Sequence, residues 1–354
     1  MGVGVNSFSP TYLSRLPVPP RLVRLLTALA EFKGKQTLWT QTKPEVLRQL
    51  LKVAVIESVE SSSRMERVEV GPQTFRHIVL KAGEPEAESR SQTELAGYRD
   101  ALTLIHENAA DMPPTENVLR QLHGRLMGYT AAGGGDYKSA PNDIVEQDGH
   151  GGVARIRFRT VSPALTGTAM AELHEGLARA LAEDEIEPLL LVPLYVHDLL
   201  CIHPFADGNG RMARLMTVLL LHRLGYEIGR YISLERIIEA TKDTYYDSLA
   251  ASDRHWTDGR HDHVPFTEYL LGVVLAAYRQ LEENTRIDLD HGARARMVER
   301  AIQSLPADFR LADVEERCPL VSRDTIRSAM AKLQRDGVIT CLGRGRAARW
   351  QRLK

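Results

Sequence analysis

The chain has 354 residues, room for about two or three domains of ordinary size. Its 45 Lys and Arg against 46 Asp and Glu exclude a polyanion binder spread over the whole surface, while leaving local patches open. Its three cysteines lie far apart without paired metal-ligand spacing. Cys201, Cys318 and Cys341 are therefore expected to be buried thiols in a reducing compartment. Met1 to Pro20 carries no basic flank followed by a long apolar run, so no secretory signal is expected. The longest apolar stretch, Leu189 to Val196, contains Pro193 and is too short to span a bilayer, so a cytoplasmic chain without a membrane partner is expected.

Val3 to Pro20 is rich in Ser and Pro and reads as irregular. Arg21 to Phe32 and Lys43 to Val59 repeat apolar residues at helical spacing, and a polar run follows from Glu57 to Arg67. Lys81 to Gln92 is charged, contains Pro and Gly, and reads as an exposed loop. Thr93 to Ala109 and Thr115 to Met127 are helical in pattern. Gly133 to Gly152 is rich in Gly, Asp and Asn, and Val153 to Val161 alternates weakly, as a short strand or hairpin does. Helices are predicted over Ala169 to Ala182, Ile186 to Ile202, Asn209 to Leu224, Leu234 to Ala251 and Pro265 to Asn284. After a linker from Thr285 to Gly292, three further helices (Ala293 to Ser304, Leu311 to Arg317, Ser322 to Asp336) precede an apolar run, a Gly/Arg turn at Gly343 to Arg346 and a returning segment. That is the layout of a winged helix-turn-helix. The fold class expected is mainly α, a helical bundle with one small extended element and a C-terminal winged-helix domain.

The densest chemistry lies at His203-Pro204-Phe205-Ala206-Asp207-Gly208-Asn209-Gly210-Arg211-Met212-Ala213-Arg214. Asn209 between two glycines suits a tight turn feeding a helix N-terminus, where unpaired amides and a positive dipole favour anions. Gly208 and Gly210 admit phosphate oxygens close to the backbone. Arg211 and Arg214, three apart, share a helix face and each offers a planar fork for phosphate. Asp207 is a hard oxygen ligand suited to Mg²⁺. His203, with an ordinary pKa of ~6.5, is suited to take a proton from an attacking hydroxyl. Any one of these residues alone has a commoner structural explanation; the set in this order does not.

This stretch resembles the signature of the Fic family, H-P-F-x-[D/E]-G-N-G-R-x-x-R, at every fixed position. The resemblance implies a Fic-type helical bundle and transfer of AMP from Mg²⁺-bound ATP to a protein Ser, Thr or Tyr hydroxyl. His203 is then the base and Asp207 the Mg²⁺ ligand. Gly208, Asn209 and Gly210 cradle phosphates, and Arg211 and Arg214 bind the β- and γ-phosphate region. Gly210 places the chain with adenylyl rather than phosphoryl transfer. Thr93 to Ala101 is similar to a segment of Fic proteins with an N-terminal helical extension, a plain amphipathic helix being the alternative. Val153 to Val161 falls where the family has a hairpin "flap" that aligns the target chain, although Arg155, Arg157 and Arg159 would suit a solvated edge equally. Tyr245 and Tyr246 fall where relatives wall the adenine, with a core-facing pair as the competing explanation.

Ser62 to Arg67 resembles the family's inhibitory motif, [S/T]-x-x-x-E-[G/N], with Ser62 and Glu66 matching and Arg67 departing. The implied pairing is Glu66 with Arg214, in place of the γ-phosphate. The same glutamate could instead serve removal of AMP. The expected division is 1–90 for an inhibitory helical region, 91–285 for the Fic domain and 293–354 for the winged helix. From Ser322 onward nine cations face two anions. Arg323 and Arg327 near a helix start, with Arg344 and Arg346 in the turn, therefore make DNA a candidate partner beside ATP and an unidentified target protein, which could be the chain itself. A homodimer, a protein-docking role for the winged helix and a nucleotide-sensing DNA-binding regulator with little turnover stay open.

Overall fold

The computed structural model describes residues 7–67, 78, 90–131, 133–147, 153–285, 291–318, 321–343 and 348–353. Helices dominate: α1 (Pro10–Leu13), α2 (Pro20–Thr42), α3 (Pro44–Met65), α4 (Arg90–Asn108), α5 (Glu116–Met127), α6 (Pro163–Glu183), α7 (Pro188–Ile202), α8 (Asn209–Arg223), α9 (Leu234–Ala240), α10 (Lys242–Ser252) and α11 (Val264–Thr285). An antiparallel hairpin, β1 (Ile144–Gln147) with β2 (Val153–Phe158), interrupts them. Proline opens α2, α3, α6 and α7, at the position where its missing N–H has no intrahelical partner to lose.

Helix α7 is buried from Leu189 to Ile202, as a helix that is apolar all round must be. It packs against α6, α8 and α11, while α4 packs on α5 and α8 and α3 on α4 and α9. A continuous apolar cluster from Phe8 to Leu281 holds this body together. Gly97 sets how closely α4 and α5 cross: a Cβ there would lie 1.9 Å from the Leu126 carbonyl oxygen.

The tail has its own core, from Met297 through Phe309, Val314, Ile326 and Met330 to Ile339. It consists of α12 (His291–Ser304), β3 (Asp308–Arg310), α13 (Leu311–Arg317), α14 (Arg323–Arg335), β4 (Ile339–Leu342) and β5 (Arg349–Arg352). The strands form an antiparallel sheet in the order β3-β5-β4, with Trp350 opposite both Phe309 and Cys341.

Several boundaries differ from the sequence reading. Helix α1 and strands β1 and β3 are additional, and α2 continues through Thr42, ended by Lys43 at φ −132° and the proline that follows. The polar run from Glu57 belongs to α3, its polar side chains finding buried partners: Ser58 bonds Ser233 and Glu235. The single helix predicted over 234–251 breaks at Thr241, where φ is −120°. Among the described residues no helix is long and apolar enough to cross a membrane. Residues 81–89 of the predicted loop lie outside the described residues.

Candidate active site

The turn between α7 and α8 carries the motif, and two left-handed residues bound it: His203, at φ 54°, ends α7 and Gly208, at φ 80°, precedes α8. His203 Nδ1 lies 3.2 Å from the Leu200 carbonyl. Burial, with the positive charges of Lys138 and Arg157, lowers the His203 pKa to about 4, against a smaller rise from its backbone hydrogen bond and Glu66. The imidazole is therefore neutral at physiological pH. Asn209 turns its side chain inward: Oδ1 accepts from the Phe205 N–H at 2.9 Å and Nδ2 donates to the Phe205 carbonyl at 2.7 Å. What it presents at the start of α8 is backbone.

Three residues that the sequence reading did not single out hold this turn. His123 stacks on Phe205 with centroids 3.7 Å apart. Its Nδ1 accepts from the Gly135 N–H at 2.9 Å, so Nε2 carries the proton and donates to the Asp207 carbonyl at 3.0 Å. Asn142 Nδ2 donates to the carbonyls of Phe205 (2.7 Å) and His203 (3.2 Å). Lys138, buried and with its pKa lowered to about 8 by that burial, donates to Asn142, Thr160 and the Ile202 carbonyl. The only sequence signal for Lys138 and Asn142 was their neighbourhood, a stretch rich in Gly, Asp and Asn, and His123 lay in a helical pattern that gave none.

Each arginine of the motif meets an acid from a different helix. Arg211 Nη1 bonds the buried Glu94 of α4 at 2.9 Å. Arg214 Nε donates to Ser62 Oγ at 3.0 Å, and its Nη2 to Glu66 Oε1 at 2.8 Å and to the Ser62 carbonyl at 3.3 Å. Burial opposes the charge on Arg214, and the Glu66 carboxylate together with Tyr98 and Tyr245 outweighs it, leaving the guanidinium pKa raised. Glu66 caps the C-terminus of α3 and rests against the first turn of α8: a Cβ on Gly210 would lie 2.7 Å from Glu66 Oε1. A carboxylate thus sits where the helix dipole and its free amides favour an anion. Asp207 is half-exposed and its chemistry fits a Mg²⁺ ligand, but Arg90 Nη2 now holds Oδ2 at 2.8 Å.

The sequence model of the Fic/DOC family matches residues 113–221, which include this turn and His123, Lys138 and Asn142. The chain contains a Fic domain. A Fido domain-containing protein of Dictyostelium discoideum is 28% identical over 130 residues, 37% of this chain and 83% of that protein. The protein adenylyltransferase and cysteine protease IbpA of Histophilus somni is 33% identical over 93 residues, 25% of this chain and 2% of IbpA. Two crystal structures share the fold. A Fic family protein from Desulfovibrio desulfuricans covers 95% of this chain and 97% of its own, with 21% identity and a TM-score of 0.62. A Fic domain-containing signaling protein from Bacteroides thetaiotaomicron covers 73% of this chain and 96% of its own, with 24% identity and a TM-score of 0.60.

Around the Fic motif the remaining candidates divide. Tyr245 is buried, packing on Phe266 and Tyr269 as well as on Tyr246, whereas Tyr246 is partly exposed and lies under Arg157 and Lys242. On the hairpin, Arg155 and Arg159 are exposed, but Arg157 turns to Asp253 at 3.4 Å. The exposed apolar pair Val145 and Ile156 faces out from opposite strands. In the tail, Arg323 pairs with Glu315 at 2.7 Å and Arg327 is exposed, while Arg344 and Arg346 lie outside the described residues.

Proposed function

We propose that the chain is a protein adenylyltransferase held off by its own Glu66. The observation that carries this reading is the Glu66–Arg214 pair lying against Gly210 at the start of α8, a few residues from His203. In the reaction, neutral His203 accepts the proton of a target Ser, Thr or Tyr hydroxyl. The hydroxyl oxygen bonds the α-phosphorus of ATP, the bond to the β-phosphate oxygen breaks, and pyrophosphate leaves. The amides of residues 208–210 and the guanidiniums of Arg211 and Arg214 balance the phosphate charge. Mg²⁺ bound at Asp207 would supply further neutralisation there, once Arg90 has left that carboxylate. The hairpin, with Val145 and Ile156 outward, suits a target segment added as a strand. Tyr246, beside the Fic motif, suits an adenine wall better than buried Tyr245.

While Glu66 occupies Arg214, that guanidinium is unavailable to the γ-phosphate and the carboxylate repels it, so ATP would bind out of line for transfer. Incubation with α-labelled and with γ-labelled ATP tests the reading. Label is expected from α-ATP alone, roughly tenfold more with Glu66→Gly, the equivalent of removing ~1.4 kcal/mol of inhibition. Adding His203→Ala should abolish it. Unchanged labelling in Glu66→Gly would remove the brake from the reading.

A second reading, a nucleotide-sensing regulator that binds DNA, draws on one observation: Arg327 and Arg349 are exposed on the C-terminal module. Its helix–strand–helix–helix–hairpin order suits a winged helix, with α14 as the helix for the major groove. No labelling from Glu66→Gly, together with salt-sensitive binding of a DNA duplex lost in Arg327→Ala, would favour it.

A further inference from the structure

On α7, just before the motif, a second polar cluster lies inside the apolar core. His197 and Cys201 are four apart and project from one face of α7. They meet Asp253, at the end of α10. His197 Nε2 is 3.1 Å from Asp253 Oδ1, Cys201 Sγ is 3.6 Å from the same oxygen, and Sγ is 3.7 Å from Nε2. Tetrahedral zinc with ordinary bond lengths separates N from O by about 3.4 Å, and S from either by about 3.6 Å. We propose that His197 Nε2, Cys201 Sγ and Asp253 Oδ1 are three ligands of a structural zinc ion, with a solvent oxygen as the fourth. The mixed sulfur, nitrogen and oxygen set selects a borderline-soft cation over Mg²⁺, so this site is chemically separate from Asp207.

The surroundings support a metal over a hydrogen-bonded trio. If neutral His197 donated from Nε2 to Asp253, its bare Nδ1 would face the Asp198 carboxylate, whose Oδ1 is 4.0 Å away, with no proton between them. Both His197 Nδ1 and Asp198 Oδ2 are buried without a partner. Zinc on Nε2 moves the imidazole proton to Nδ1 and aims it at Asp198. At 4.0 Å this is an electrostatic and not a hydrogen-bonded contact, of the sign found where a carboxylate lies behind a metal-bound histidine. Asp198 is itself fixed by Ser7 (2.5 Å) and Trp256 (2.6 Å) through Oδ1.

Charges balance as well. Zn²⁺ with the Cys201 thiolate and the Asp253 carboxylate is neutral, and Arg157, on the other oxygen of Asp253, offsets Asp198. Binding releases one proton, from the thiol. The alternative that also serves both carboxylates is a charged His197 imidazolium with no metal. Because Cys201 is two residues before His203, the ion would tie the end of α7 to α10 and to the base of the hairpin through Arg157.

The test is metal content and a cobalt spectrum on the full-length protein. Purified without chelator, wild type is expected to carry about one zinc per chain, retained in Asp207→Ala and lost in Cys201→Ser. Since Cys201→Ser could fail to fold, a Cys318→Ala, Cys341→Ser double variant leaves Cys201 as the sole thiol. After exchange into Co²⁺ this protein should show a thiolate-to-cobalt charge-transfer band in the near ultraviolet, and its melting temperature should fall on chelation. A protein without zinc, taking up cobalt without that band, would overturn the proposal in favour of the imidazolium.

Discussion

Arg211 and Arg214 are one helical turn apart on α8, and each meets a glutamate from another helix, yet the two sites differ in kind. Glu94 is 5% exposed and holds Arg211 from the interior of the α4–α8 contact. Glu66 is 35% exposed at the side chain and reaches Arg214 from the residue that caps α3, where the helix gives way to a turn. The first pair cannot separate without leaving charge in the core. In the second the glutamate can reach solvent by moving one helix end, while the buried Arg214 keeps its bonds to Ser62. The same two residue types, one helical turn apart on α8, therefore make a fixed strut and a movable stop.

The largest effect expected is on the strut. Glu94→Ala leaves the buried Arg211 guanidinium with only its long contact to Asp207 Oδ1, at 3.5 Å, and should lower unfolding free energy by about 3–5 kcal/mol. Glu66→Gly also leaves a buried guanidinium, but Arg214 keeps the Ser62 hydroxyl and carbonyl, and the loss should be smaller, about 1–3 kcal/mol. Urea melts of both variants check the contrast; equal losses would mean that Glu66 is a strut too.

The stop depends in turn on what holds α3. Arg317, at the end of α13, makes ion pairs with Glu60 and with Glu57, the latter at 3.8 Å, both on the helix that ends at Glu66. Arg317→Ala is expected to cost about 2 kcal/mol, the range for a charged hydrogen bond. It should also raise labelling from α-ATP in the same direction as Glu66→Gly. If labelling stays at the wild-type level while stability falls, the C-terminal module braces α3 without bearing on the stop.

How much of this was legible beforehand follows the locality of each signal. The motif from His203 to Arg214 is contiguous, so its turn and helix start could be read directly. Ser62 and Glu66 could be tied to Arg214 only through a resemblance, because 148 residues separate Glu66 from Arg214. Glu94 sat inside a recognised segment but its periodicity was that of any amphipathic helix, and only the packing of α4 on α8 gives it Arg211. His123, Lys138 and Asn142 bond backbone carbonyls of the turn, and a carbonyl leaves no mark on sequence. Cys201 was judged by its distance from other cysteines, whereas its partners are His197 on the same helix face and Asp253 from α10.

Titration separates the chemistry from the stop. His203 has its pKa lowered by burial to about 4, so labelling by Glu66→Gly should hold between pH 8 and about 5 and fall below that as the imidazole takes a proton. Stability should follow the same sign. An unfolded histidine protonates near ~6.5, so the contribution of a histidine kept neutral in the fold is complete above that pH and is lost as pH falls toward the folded value. His106, lowered by burial to about 3, adds in the same direction. Labelling that declined already at pH 6.5, in a protein still folded by circular dichroism, would place the working base in a less buried setting.

The smallest effect expected is at Arg67, and it bears most directly on how the stop is seated. The residue after Glu66 has φ 58°, a left-handed conformation that costs a side-chain-bearing residue of order 1 kcal/mol and glycine almost nothing. The inhibitory motif that this segment resembles ends in Gly or Asn, the residues that tolerate this conformation. Arg67 adopts it regardless, so the strain is carried by whatever holds Glu66 in place, including its bond to Arg214. Arg67→Gly should remove that strain and deepen inhibition by up to about 1 kcal/mol, seen as severalfold weaker labelling with no change in the Glu66→Gly background. Stronger labelling in the single variant would mean that the Arg67 side chain itself helps to seat the glutamate.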